Sequence, residues 1–186
     1  MGQYYMAVIL KDDKLNVDKY VCGHDYNNGI KLMEHSWIGN NVVARIEHEI
    51  LNNPKRICWA GDYADANENG ETIYNLCESD GLKLPKMDCK RIAKHRYIVN
   101  HDKKEFVDLH WRKLPLSSTY TTTKGKIIKY VVHPLPLLTA LGNGGGGGDY
   151  FSTHGKEYIG TWSRDLISLE TIKPEDFTEI QPNFKE

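Results

Sequence analysis

Long apolar runs are missing from this sequence. No segment approaches the roughly 20 residues that cross a bilayer, so no membrane is expected among the partners. Met6-Ala7-Val8-Ile9-Leu10 is too short for the apolar core of a secretion signal. The residues before it, Met1-Gly2-Gln3-Tyr4-Tyr5, carry no basic side chain, and a cytoplasmic location is the expectation. An excess of one charge is missing too, with 24 Lys+Arg against 25 Asp+Glu. That balance supplies no general field for nucleic acid, which is not expected as a partner.

Metal and nucleophile signatures are equally scarce. The four cysteines, Cys22, Cys58, Cys77 and Cys89, form no C-x-x-C pair, which argues against a zinc ribbon and gives no reason to infer a disulfide framework. His48, His95, His101, His110, His133 and His154 show neither H-x-x-x-H nor H-x-H spacing. A G-x-S-x-G elbow is absent, which removes the common serine hydrolase arrangement. No metal and no cofactor are called for, and the oligomeric state is left open.

What remains is a chain of 186 residues, enough for one domain (1–186) with a core of its own. Aromatic and β-branched enrichment predicts a strand over about 3–10, a turn at Asp12-Asp13 and a returning strand near Lys19 to Cys22. Asn28-Gly29 reads as a tight turn. Val42, Val43, Ile46 and Ile50 recur at helical spacing, which predicts a helix over 41–51 with Arg45, Glu47, His48 and Glu49 on its other face. Further strands are expected at 56–60, 97–99, 106–109, 126–133 and within 158–169. A short helix is expected at 72–78 and a helical turn at 174–177 behind Pro174. Strands and hairpins outnumber helices, so the fold class is α+β: a mainly antiparallel sheet with one main amphipathic helix and one short helix.

Four segments carry the chemistry. In Leu141-Gly142-Asn143-Gly144-Gly145-Gly146-Gly147-Gly148-Asp149-Tyr150, the glycines (Gly144, Gly146 and Gly148 among them) let successive N–H groups converge on an anion. The segment fits neither phosphate-loop consensus, and a plain flexible loop is its alternative. His24-Asp25 and the nearby His35 are acid–base types, and Lys31 can neutralise a phosphate. The alternative there is core for Trp37, Leu32 and Met33, with His35 a hydrogen-bonded, partly buried histidine. Trp59-Ala60-Gly61-Asp62-Tyr63-Ala64-Asp65 closes a buried strand, and Asp62 and Asp65 can accept from ribose hydroxyls or merely shape a turn. Arg164, in Gly160-Thr161-Trp162-Ser163-Arg164-Asp165, can fork onto a phosphate or pair with Asp165.

At these stretches, from the opening Met1-Gly2-Gln3-Tyr4-Tyr5 to Gly160–Asp165, the chain resembles a family of bacterial and phage proteins that brings no activity with it. The family pattern places an arginine within the glycine segment, where this chain has Gly144. The resemblance implies a bacterial or phage setting, in which a nucleotide binder would sequester an immune signal.

These residues lead to an expectation of a pocket for a small phosphorylated ligand of nucleotide type. Lys31, Asn143, Gly144, Gly146, Gly148 and Arg164 would hold the phosphate, Trp37, Trp59 or Tyr150 the base, and Asp62, Asp65 and Asp149 the hydroxyls. Two alternatives stand beside it. One is a hydrolase or phosphodiesterase with His35, His24 and Asp25 as catalytic groups; the other is a protein–protein inhibitor module.

Overall fold

A computed structural model describes residues 3–89, 96–110, 113–115, 118–121, 125–142 and 150–185. The chain begins with β1 (Tyr5–Leu10) and returns as β2 (Val17–Val21), joined by a turn in which the Asp13 carboxylate accepts the N–H groups of Leu15 and Asn16. A tight helical turn at Gly23–Tyr26 leads to α1 (Leu32–His35) and then to α2 (Asn41–Ile50). Next come β3 (Lys55–Gly61), α3 (Ile73–Asp80) and β4 (Leu82–Lys83). β5 (Tyr97–Asn100) and β6 (Glu105–Asp108) form a hairpin, as do β7 (Ser118–Thr121) and β8 (Ile127–Tyr130). α4 (Pro134–Leu138), β9 (Ala140–Leu141), β10 (Leu166–Glu170) and β11 (Thr178–Glu179) complete the chain.

Among the described residues nine strands make one sheet in the order β11-β6-β5-β10-β3-β1-β2-β4, with β9 also paired to β3. The pairing is antiparallel except at β11/β6, β2/β4 and β3/β9, each a contact of two residues. The protein is therefore α+β with a mostly antiparallel sheet.

All six residues of β1 are buried, which alternation on a one-sided sheet would not produce. The reason is a helix on each face. Tyr5, Ala7, Ile9, Ile57 and Trp59 pack with α2 residues Val42, Val43, Ile46 and Ile50. Met6, Val8, Leu10, Cys58 and Ala60 pack with α3 residues Ile73, Leu76 and Cys77. Helix α2 starts where the Asn40 side chain accepts the Val42 N–H at 2.8 Å, and α3 starts where Thr72 accepts that of Asn75 at 3.2 Å.

Several local expectations need correction. Arg45 and Glu47, placed on the face away from the apolar stripe, are nonetheless buried at 5% and 3% exposure. Glu47 takes Arg96 on one oxygen at 2.8 Å and His133 on the other at 3.1 Å. The positive φ near Asn28-Gly29 falls on Asn27 instead, at 54°, closing the Gly23–Tyr26 turn. Gly29 is needed for a different reason: a Cβ there would run into the Glu34 side chain. The strand expected to run through His133 stops at Tyr130, and α4 follows. The segment 174–177 forms a turn and no helix, because Asp176 takes a left-handed φ of 62°.

Candidate functional site

β3 is where the distant segments meet. Its Trp59 lies under α1, its Gly61 against Gln3, and its backbone is bonded on one side to β1 and on the other to β9 and β10. Gln3 is fully buried and its amide lies between Gly61 and Gly142, so the opening residues, the end of β3 and the start of the glycine segment pack together. Tyr5 donates its hydroxyl to Gln3 Oε1 at 2.8 Å.

His35 lies at 1% exposure, and both ring nitrogens are engaged. Nε2 is 2.9 Å from Trp59 Nε1, and Nδ1 is 3.1 Å from the Gly29 carbonyl. An indole N–H can only donate. Nε2 must then be the bare acceptor, and Nδ1 carries the proton given to Gly29. Burial pushes the imidazole down to about 4, since a charged ring would be desolvated and would turn a second N–H toward the indole. This corrects the expectation of His35 as an acid–base group: it is a neutral clamp between α1 and β3. Trp59 is corrected with it, because a ring at 0% exposure inside the sheet offers no face to a base.

The other candidates are dispersed. His24 is exposed, and Asp25 beside it pairs with Lys83 at 2.9 Å. Trp37 is half-buried and bridged through its backbone to Val132. Lys31 gives its backbone N–H to the Glu34 carboxylate at 3.0 Å, which holds the first turn of α1. Asp62 accepts the Tyr4 N–H at 2.9 Å. Tyr150 is buried against Phe184, with its hydroxyl 2.5 Å from the His154 carbonyl and 2.6 Å from that of Lys185. It anchors the final residues and offers no stacking surface. Asn143, Gly144, Gly146, Gly148 and Asp149 lie outside the described residues.

Two candidates, Asp65 and Arg164, do open onto one cleft of about 570 Å³ beside α3, within the usual range of about 300–1,000 Å³ for small-molecule sites. Asn16, Asn67, Glu71 and Ser163 supply further polar groups to its wall, and Ile73 and Leu76 of α3 are apolar parts of it. Leu141, at the head of the glycine segment, lines it too. Asn67 braces one side: its Oδ1 accepts the N–H groups of Asn69 and Glu71, each at 2.9 Å.

Arg164 is held in this wall by its backbone. Its N–H donates to the Ile57 carbonyl at 2.8 Å and its carbonyl accepts from Arg56 at 3.3 Å, with φ at 68°. A left-handed φ on a side chain of this size costs of order 1 kcal/mol or more. Its guanidinium has no carboxylate partner among the described residues. Asp165, the partner that sequence proximity suggested, accepts instead from Asn100 at 2.8 Å. The other described arginines are all paired: Arg45 to Glu49, Arg56 to Asp102 and Arg96 to Glu47. Arg164 Nε is enclosed without a hydrogen-bond partner. Sequence reasoning missed the contributions of Asn16, Asn67, Glu71 and Ser163, which come from three separate loops and carry no shared spacing.

A second hollow of about 310 Å³ lies beside β6 and β11, where Lys113 is already bonded to Asp108 and Glu179 at 2.9 and 2.8 Å. Among the described residues no group of three or more His, Cys, Asp and Glu could hold a metal ion. No described helix is long and apolar enough to cross a membrane. No family model, curated protein or solved structure matches the chain.

Proposed function

We propose that the protein binds a small phosphorylated ligand, of nucleotide type, in the cleft beside α3. The observation that supports this reading is the unpaired guanidinium of Arg164 in the cleft wall, the one described arginine without a carboxylate. A guanidinium presents N–H groups in a planar fork matched to two phosphate oxygens. Asp65 and Glu71, whose carboxylates take no partner among the described residues, accept from sugar hydroxyls. The reading is of a binder. His35 is enclosed and neutral, and His24 and Asp25 are not among the cleft residues. The base-stacking part of the expectation passes to no residue, since neither Trp37 nor Trp59 lines the cleft.

Thermal unfolding against nucleotides, sugar phosphates and pyrophosphate tests the proposal. A ligand present at about 100 times its Kd stabilises by about 2.7 kcal/mol, a shift of several degrees for a chain of this length. Arg164→Gln should abolish the shift and leave the unliganded melting temperature close to that of the native protein. No shift with any ligand at millimolar concentration overturns the reading.

A further inference from the structure

The cleft that holds Arg164 is not a simple anion hole, because Asp65 and Glu71 line it as well. Among the described residues neither carboxylate has a hydrogen-bond or ion-pair partner, and both residues are exposed. Glu71 is held in place through its backbone, whose N–H is bonded to Asn67 Oδ1 at 2.9 Å. Among the described residues the charged lining is therefore one guanidinium and two carboxylates.

Such a lining is a poor match for a dense anion. A phosphate monoester carries a charge of about −1.5 to −2 at neutral pH, and pyrophosphate carries more. Either would gain from Arg164 and lose to two nearby carboxylates of like sign. A phosphodiester carries a single charge, so it keeps the forked contact with the guanidinium and meets less repulsion. Hydroxyl groups on the rest of the ligand change the sign of the carboxylate contribution, because they donate to oxygens that would otherwise only repel.

Resting on the reading of this cleft as a phosphate site, we infer that Asp65 and Glu71 make it selective for a singly charged phosphodiester on a hydroxyl-bearing body, and turn away monoesters and inorganic polyphosphates. Arg164 supplies the attraction, and the two carboxylates supply the discrimination. Both carboxylates are solvent-exposed, so each contributes no more than a surface ion contact does. Together they amount to a preference of about tenfold at low ionic strength, which fades as salt screens them.

Calorimetric titration with three probes tests this: 3′,5′-cyclic AMP as the monoanionic diester, AMP as the dianionic monoester with the same base, and inorganic pyrophosphate. The native protein should bind cyclic AMP about tenfold tighter than AMP or pyrophosphate at low salt, and the gap should narrow at 0.5 M salt. In Asp65→Asn/Glu71→Gln, affinity for AMP and pyrophosphate should rise while that for cyclic AMP falls or holds, which a merely structural role for the two acids would not produce. Lowering the pH to 5.5 should bring AMP toward cyclic AMP, because the phosphate gains a proton near pH 6. Arg164-dependent binding that favours pyrophosphate, or a double variant with an unchanged order, overturns the selectivity and leaves the phosphate site standing. Absence of binding by all three probes to the native protein, with Arg164→Gln indistinguishable from it, overturns both.

Discussion

Gln3 and Gly61 fit each other so closely that a Cβ on residue 61 would lie 2.5 Å from Gln3 Nε2. Gln3 is fully buried and its Oε1 is held by the Tyr5 hydroxyl, so it has little room to withdraw. Gly61→Ala should cost about 1–3 kcal/mol, the usual range for overpacking a filled interior. Gln3→Ala opens the space that the new methyl group needs. The double variant should therefore be more stable than the sum of the single changes implies, as read from urea midpoints in a double-mutant cycle. Strict additivity would show that the two residues do not compete for one space.

His35 makes stability depend on pH in a defined window. Its folded pKa, about 4, lies below the ordinary value of 6.5. Between those values the unfolded chain binds a proton that the folded chain refuses. Stability from this group is complete above pH 6.5 and falls as the pH drops toward 4, by about 3 kcal/mol in all. Chemical unfolding at pH 7.0 and 4.5 should show most of that loss. In His35→Gln, whose amide does not titrate, the dependence over this window should flatten, and Trp59 emission should shift as its indole partner changes.

Glu47 governs a lower range. Burial works to raise its pKa, but the hydrogen bond from His133 and the Arg96 guanidinium outweigh burial and hold it below the usual carboxylate value. His133 Nδ1 lies 3.2 Å from the Leu135 N–H and accepts it as the cap of α4, so Nε2 carries the proton donated to Glu47. The stability this carboxylate contributes is present above its unfolded pKa and is lost as the pH falls through the depressed folded value. Glu47→Ala would leave Arg96 charged and buried at 4% exposure, and should cost about 3–5 kcal/mol at pH 7. Denaturant unfolding measures the loss. A cost under about 1 kcal/mol would mean that Arg96 finds water or another partner.

The thiols should separate by reactivity. Cys22 is half-buried, while Cys58 and Cys77 are fully buried between the sheet and α3. Burial pushes Cys58 up to about 12 and raises Cys77 as well. A chromogenic disulfide reagent at pH 8 should modify Cys22 first, and Cys58 and Cys77 only on unfolding. Peptide mapping of the native protein would identify the early site.

Much of the sheet was legible in the sequence, because β-branched and aromatic runs bounded by polar turns seldom form anything else. Helix α2 was legible from its cap, Asn40, and from apolar residues at helical spacing, and a short helix was expected where α3 lies. α4 went unforeseen behind the strand expected over 126–133, because every residue of Pro134-Leu135-Pro136-Leu137-Leu138 is buried, which leaves no polar face to show the helical period. Its prolines were the available signal: both fall within the first turn, where missing N–H groups break no helical bond. The site was only partly legible. Arg164 and Asp65 were chosen for their chemistry, while His35 was chosen on the same grounds and proved to be enclosed.

By itself the sequence determined most of the longer strands and the helices α2 and α3, because those preferences act over a few neighbouring residues. It also specified an inventory of charged groups with no general bias toward polyanions. Only the tertiary structure decided which polar groups were already satisfied. Hydrogen bonds such as Trp59 to His35 and Asn100 to Asp165 join residues 24 and 65 positions apart. They remove His35 from acid–base chemistry and leave Arg164 without its neighbouring carboxylate. A side chain's availability depends on what folding brings against it, and no local pattern records that.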